Sequence, residues 1–289
     1  MVAEVIINSK AKQLNRTFDY NIPKEMEELI LIGSKVLVPF GKMKTLEEAH
    51  VVKIKEKSQY EIKDIVKVEN GLTDKQIEQL NEYQKLLKEW NEFMNLTGIT
   101  EKEEVYLKHY YDSLTINKVI DLKEINNLCD VGTGAGFPGL VLKIVFPNIH
   151  VVLVDALNKR INFLNEVIKK LGLTGIETVH ARSEDYALYN REKFELVTAR
   201  AVASLPILME ICSPLVKENY YFIPLKANIF QEMEESKNAE KLLSLEKKDI
   251  IKFKLPIEDS NRCIIKYIKT KKTNVKYPRR FSEIKKKPL

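Results

Sequence analysis

Leu128 and Cys129 lead into Asp130-Val131-Gly132-Thr133-Gly134-Ala135-Gly136-Phe137-Pro138-Gly139, and Leu140, Val141, Leu142, Ile144 and Val145 follow. No other segment of the chain restricts the fold as tightly. Glycine is needed where the backbone takes positive φ or where a ligand presses against it. The pattern predicts a buried strand, a tight turn and a helix. The helix N-terminus would offer free N–H groups and a partial positive charge.

The spacing of the turn narrows its ligand. A dinucleotide turn reads G-x-G-x-x-G, whereas Gly132, Gly134 and Gly136 give G-x-G-x-G with an acid two residues ahead. The phosphate-binding pattern G-x-x-x-x-G-K-[ST] is absent from the sequence. Asp130 would repel a pyrophosphate but suits a ligand with a cationic amino-acid end, such as S-adenosyl-L-methionine. A purely structural turn and a nucleotide site are the competing readings. A second acid supports the first reading. Val151-Val152-Leu153-Val154-Asp155 is an apolar run ending in a carboxylate, about 20 residues on, where α/β folds place an acid on ribose hydroxyls. Asp155 also stands where a cap for the helix opening at Asn158-Lys159-Arg160 belongs. The two roles are compatible.

The 289 residues allow two domains or one large one. From the start to about residue 70 the sequence has short strand signals: Val5-Ile6-Ile7, Thr17–Tyr20, Lys35–Val38 and His50–Ile54, separated by Pro23, Gly33, Pro39 and Gly41. They suggest a small barrel, with a joint at Glu69-Asn70-Gly71. From Thr73, apolar residues recur at helical spacing (Ile77, Leu80, Tyr83, Leu87, Trp90, Met94), and Thr73 with Gln76 resembles a capping box. A further helix is expected over 103–119. Strands are then predicted at 127–131, 151–155, 176–180, 196–199, 220–224, 250–254 and 262–268. Helices are predicted at 138–145, 159–171, 205–211 and 230–245. This alternation implies a mostly parallel sheet with helices on both faces.

Charge is unevenly placed. Arg262 to Leu289 carries eleven Lys and Arg against Glu283 alone, so the remainder of this +6 chain is about −4. A basic end of this kind neutralises phosphates, and Tyr267, Tyr277 and Phe281 among the charges could stack on RNA bases. The alternative is a solvated tail. There is no signal-peptide pattern and no apolar stretch of membrane-spanning length. Cys129, Cys212 and Cys263 lack paired or metal-ligand spacing. A cytoplasmic protein that binds no membrane is expected, with buried free thiols.

Residues 72–289 resemble the bacterial 16S rRNA guanine-N7 methyltransferases, the glucose-inhibited division protein B family. The matching pieces are Trp90-Asn91, Asn95-Leu96-Thr97, His109, Asp112-Ser113-Leu114, the glycine turn, Asp155 with Lys159-Arg160, and Phe163-Leu164. They continue through Ala181-Arg182-Ser183-Glu184, Thr198-Ala199-Arg200-Ala201 with Ala203-Ser204-Leu205, Leu225-Lys226, Lys276–Arg280 and Lys286–Leu289. Two departures stand out. The short helix that usually precedes the position of Thr73 is missing, and Phe281-Ser282-Glu283-Ile284 replaces a smaller, glycine-containing stretch.

The resemblance implies an α/β fold: a doubly wound, Rossmann-like class I S-adenosylmethionine-dependent methyltransferase sheet, with a helical lead-in (72–122), a catalytic core (123–269) and a basic tail (270–289). It implies S-adenosyl-L-methionine as cofactor, held by Asp130, Gly132, Thr133, Gly134, Gly136, Phe137, Asp155, Ala156, Ser183, Glu184 and Arg200. Ser183 and Glu184 would lie beside the adenine, and Arg200 would be the catalytic residue near cofactor and substrate, with a structural salt bridge as its alternative. The 16S rRNA of the 30S subunit is the implied partner, and a monomer is expected. Lys226 is a candidate phosphate contact, and His109 is either a packed histidine or a functional one.

Residues 1–71 resemble the N-terminal DNA-binding domain of the primosomal replication helicase (primosomal protein N′). Ala3-Glu4-Val5, Phe18-Asp19-Tyr20, Ile22-Pro23, Gly33–Val36, Val38–Gly41, Val51-Val52 and Lys63-Asp64-Ile65 carry that likeness. It implies a small β-domain that holds DNA 3′ ends, here without the helicase motor. The chain therefore reads as a fusion, genuine or accidental. A DNA-binding module joined to a silent methyltransferase domain is the competing function.

Overall fold

The computed structural model describes residues 1–7, 16–27, 30, 32–41, 45–68, 72–227, 229–255 and 260–289. The expected joint at 69–71 lies outside them. Among the described residues, strands β1 (Val2–Ile7), β2 (Phe18–Asn21), β3 (Lys35–Phe40), β4 (Thr45–Lys55), β5 (Lys63–Asp64) and β6 (Lys67–Val68) form one sheet in the order β5-β2-β1-β4-β3-β6. Its two ends are joined by one short segment. Ile65 N donates to Asn21 O and Val66 N to Leu37 O, each at 3.0 Å. The sheet thus closes on itself around Val5, Tyr20, Val36, Val38, Val51 and Ile65, as a small barrel should. Pro39, expected to separate strands, lies inside β3 opposite Leu46. It is tolerated because β6 pairs only with Val36 and Leu37, so no ladder bond is required of its missing N–H.

The second body begins with α1 (Asp74–Met94), whose capping box between Thr73 and Gln76 is formed as expected. Gln76 also donates from Nε2 to Ile144 O and Val145 O at 2.8 and 2.9 Å, fixing α1 to the glycine-turn helix. A helical run follows, made of α2 (Lys102–Val105), a π-helical stretch (Tyr106–Tyr111), α3 (Asp112–Leu114) and a 3₁₀ turn (Thr115–Lys118).

Strands and helices then alternate: β7 (Asn127–Val131), α4 (Gly139–Val145), β8 (His150–Asp155), α5 (Asn158–Lys170), β9 (Ile176–His180), α6 (Ser183–Tyr189), β10 (Phe194–Arg200), α7 (Leu205–Cys212) and β11 (Val216–Lys226). The chain ends with α8 (Phe230–Glu235), α9 (Lys237–Leu242), β12 (Leu245–Lys254), β13 (Asn261–Lys269) and α10 (Phe281–Lys286).

The second sheet has the order β12-β13-β11-β10-β7-β8-β9. Strands β7 to β11 run parallel, and β13 lies antiparallel between β11 and β12. Alternate side chains feed two cores. Leu128, Val151, Leu153 and Leu196 pack under α1, α4, α5 and the helical run. Cys129, Val152, Val154 and Val197 pack under α6, α7, α9 and α10. This is the doubly wound α/β arrangement. Its order reverses at β7, where a ligand crevice opens beyond the strands' carboxyl ends.

Three elements differ from expectation. The helix predicted over 230–245 is two helices that meet at Ser236, whose Oγ and N both donate to Glu232 O, and its last residue, Leu245, opens β12. Helix α6 gives a weak periodic signal, burying only Glu184 and Ala187. The basic tail is not a loose extension. It ends in α10, which buries Ile284. Arg191 holds the tail by donating to Thr273 O and Tyr277 O, both at 2.6 Å. All three cysteines are free and buried.

Candidate active site

The turn after β7 is built around Asp130, which is fully buried. Its Oδ2 accepts from Thr133 Oγ1 at 2.7 Å and from Gly139 N at 2.8 Å. Its Oδ1 is buried and has no hydrogen-bond partner among the described residues. Burial pushes this carboxyl up to about 6, against the two hydrogen bonds and the charge of Arg200, which favour ionisation. A buried acceptor left unpaired at a crevice is a ready partner for a cationic donor.

The three glycines differ in what surrounds them. A Cβ on Gly134, where φ is +63°, would meet nothing closer than 4.0 Å, so that backbone faces open space. A Cβ on Gly136 would sit 2.7 Å from Tyr83 Oη and 3.0 Å from Leu140 and Leu164, so this glycine admits α1 rather than a ligand. A Cβ on Gly132 would sit 2.6 Å from Val202 Cγ2. Tyr83 donates its hydroxyl to Ala135 O and stacks on Phe137 at 5.4 Å. Sequence alone marked Tyr83 only as part of an apolar helical face.

Asp155 closes the other side of the turn. Its Oδ2 accepts from Gly134 N at 2.9 Å and from Arg160 Nη1 at 3.1 Å, and its Oδ1 accepts from Leu157 N at 2.9 Å. The helix-cap role expected of Asp155 is not formed: the N-cap of α5 is Leu157, which makes no side-chain cap, and the only backbone N–H there that Asp155 bonds is Leu157 N, one residue ahead of the helix. Arg160 is about one-third exposed, whereas the Asp155 carboxylate it pairs with is buried. Ala156 is exposed, and its carbonyl accepts from His180 Nε2 at 3.1 Å. Ser183 and Glu184 open α6 at the neighbouring strand end; Glu184 is buried and faces Arg182 at 3.8 Å.

Arg200, at the end of β10, joins the family-like pieces of the helical lead-in. Its Nη1 donates to Asp112 Oδ2 at 2.9 Å and to Lys108 O at 3.1 Å, and Nη2 donates to His109 Nδ1 at 3.1 Å. Its guanidinium lies over the Phe137 ring, 5.2 Å from the centroid, while His109 stacks on the same ring at 4.3 Å. His109 Nε2 donates to Thr97 Oγ1 at 2.9 Å. These partners require the neutral Nε2–H tautomer. Burial, reinforced by the charge of Arg200, drives the imidazole pKa down to about 3. The other oxygen of Asp112 accepts from Arg262 Nε at 3.1 Å. The salt-bridge alternative for Arg200 is therefore present as geometry, and the fork is anchored beside the glycine turn.

Lys226 does not face outward. Its Nζ pairs with Glu232 at 2.7 Å and donates to Ala203 O at 2.9 Å, fixing the loop that follows Arg200. That loop places Val202 over Gly132. Neither contact had a signal in sequence, because both depend on α8 folding back onto the end of β10.

A family model described as rRNA small subunit methyltransferase G matches residues 76–261. Ribosomal RNA small subunit methyltransferase G of Bacillus subtilis is 48% identical over 76% of this chain and 93% of its own length. The Bacillus velezensis protein of the same name matches to the same extent.

This chain belongs to the rRNA small subunit methyltransferase G family.

The family match stops before the tail and leaves the barrel out. Residues 4–92 match a separate model, described as a 3′DNA-binding domain. That match runs into α1, although α1 packs on α4 and α5 in the methyltransferase body. A looser structural likeness is to a SAM dependent methyltransferase from Aquifex aeolicus, with TM-score 0.46 and 16% identity over 65% of this chain and 98% of that one. As in other family members' expected chemistry, S-adenosyl-L-methionine is the cofactor, and the residues present fit it: an unpaired buried carboxylate oxygen for its ammonium end and an open glycine backbone beside it. Among the described residues no helix is long and apolar enough to cross a membrane, and no group of His, Cys, Asp or Glu could hold a metal.

Proposed function

We propose that this chain methylates N7 of one guanine in 16S rRNA, with the small ribosomal subunit as substrate, in the cytoplasm and as a monomer. Asp130 carries the reading, because its buried, unpaired Oδ1 asks for a cationic partner at the crevice. Asp130 and the Gly132–Gly134 backbone hold the methionine end of the cofactor, Asp155 and Ala156 hold the ribose, and Ser183 and Glu184 hold the adenine. Gly136 supports the turn through Tyr83. Phe137 is the floor on which His109 and Arg200 rest.

Bound there, the cofactor supplies an electrophilic methyl on a sulfonium. Guanine N7 has an in-plane lone pair and no proton to lose, so the protein needs no general base. Its task is alignment and exclusion of water, which contribute roughly 7–11 kcal/mol in well-oriented reactions. Arg200 orients the base or its phosphate through the N–H groups left over from Asp112 and His109. His109, neutral, fixes that fork and takes no proton.

Transfer of labelled methyl to 30S subunits lacking the guanine-N7 mark, with the product nucleotide mapped, tests this. Label at a single guanine N7 supports it; cofactor bound without transfer to any guanine sinks it.

We further propose that residues 1–71 form a separate barrel that holds DNA 3′ ends, which the 3′DNA-binding match over 4–92 favours. Asp130→Ala should abolish methylation and leave binding to a 3′-recessed duplex unchanged. Loss of both would tie the barrel to the methyltransferase instead.

A further inference from the structure

Several basic residues from Arg262 onward divide by their surroundings. Arg262, Lys266, Lys269 and Arg279 are turned inward, onto Asp112, Val119 O, Ser213 O and Glu210 respectively. Arg280 and the lysines at 285–287 are exposed, and among the described residues the Arg280 guanidinium has no hydrogen-bond or ion-pair partner. Their backbone is nonetheless fixed. Arg279 grips the fully buried Glu210 through two nitrogens at 2.8 and 2.6 Å, and Ile284 is buried in the core. The exposed cations are therefore held in place.

Beside them is a cavity of about 420 Å³ lined by Arg182, Glu184, Asp185, Leu188, Arg280 and Phe281, among others. The Arg182 guanidinium lies over the Phe281 ring at 5.5 Å, which makes a flat stacking platform. Asp185, which also lines the cavity, would repel a phosphate but accept N–H groups from a base edge. Cations at the rim suit phosphates. One nucleotide, base inward and backbone outward, matches both the size and the charge pattern.

We infer that the groove between α6 and the folded tail docks one unpaired nucleotide of the rRNA substrate, with its base on the Arg182 guanidinium that the Phe281 ring backs and its flanking phosphates on Arg280 and the lysines at 285–287. The inference rests on the proposed rRNA substrate and adds a second contact, outside the reacting guanine. An acidic peptide would meet the rim cations, but it has no flat base to lie on the Arg182–Phe281 pair. Phe281 supplies the ring.

Full-length Phe281→Ala and Arg280→Glu variants test it. The readouts are retention of 30S subunits on the immobilised protein across salt concentrations, methyl-transfer kinetics and cofactor affinity. A lost stacking contact should raise KM for subunits about tenfold with kcat and cofactor affinity unchanged, and Phe281→Tyr should restore it. Arg280→Glu should make the salt dependence shallower by about one phosphate contact. An unchanged KM and salt slope overturns the inference, and so does loss of cofactor affinity, which would assign the groove to the cofactor. If the unaltered protein retains subunits but methylates nothing, the proposed reaction fails, while retention by the variants still decides the docking groove.

Discussion

Arg200 and Asp112 meet at 2.9 Å across 88 residues of sequence, and the same carboxylate holds Arg262 at 3.1 Å from a third part of the chain. One buried acid thus ties the helical lead-in to two strands at the edge where the ligand crevice opens. Replacing Asp112 with Ala leaves two largely buried guanidinium groups without their counter-ion and should lower unfolding stability by about 3 kcal/mol. Arg200→Lys keeps the charge but loses the fork. We expect methyl transfer to fall about 100-fold with a melting temperature close to that of the parent protein, read by single-turnover labelling and thermal denaturation.

The cofactor should bind in a pH-dependent way through Asp130. Its pKa of about 6 in the folded protein lies above the ordinary value of 3.8. The folded state therefore binds more protons between those values, and this group makes the cofactor-free protein less stable as pH rises from about 4 to 6, with no further change above. A cationic ligand requires the ionised form. Affinity should be flat above about pH 6 and fall about tenfold for each unit below it. Asp130→Asn should remove that profile, weaken cofactor binding severely and stabilise the cofactor-free protein by about 1–3 kcal/mol at pH 7. Calorimetric titration from pH 5 to 8 with denaturant unfolding checks both signs.

His109 should contribute no titration to activity. With its pKa near 3, it is neutral throughout the working range. His109→Gln, which can still accept from Arg200, should keep the pH–rate profile and lower its height, whereas a histidine acting as a proton carrier would lose a limb of that profile.

Gly134→Ala and Gly136→Ala should fail differently. The first adds a methyl in open space at a positive φ, so stability falls by about 1 kcal/mol and cofactor binding is lost. The second drives a methyl against Tyr83 Oη at φ +99° and should cost about 2–4 kcal/mol before any ligand is considered. Denaturation curves and cofactor titrations on both variants separate the two.

Arg279→Ala should destabilise the protein although it lies in the basic tail. It strands Glu210, which is fully buried and accepts from Arg279 N and Nε through one oxygen and from Nη2 through the other. A loss of about 3–5 kcal/mol is expected; a change within about 0.5 kcal/mol would mean that the tail does not dock in solution.

The sequence by itself determined the local periods and therefore the elements. The strand over 127–131, the capping box at Thr73 and Gln76, and the glycine turn that opens with Asp130 were all readable, since each depends on neighbours within a few residues. It also carried the family pieces at 91, 97, 109, 112 and 200 as separate motifs. Only the tertiary structure decided that those pieces form one chain of hydrogen bonds. Only it could decide that Gly136 admits Tyr83, that Lys226 turns to Glu232, and that the tail's charges divide into anchors and exposed cations. Each of these depends on contacts between distant segments. A side chain's polarity is fixed by its identity, but its partner is fixed by which elements the packing of two cores brings together.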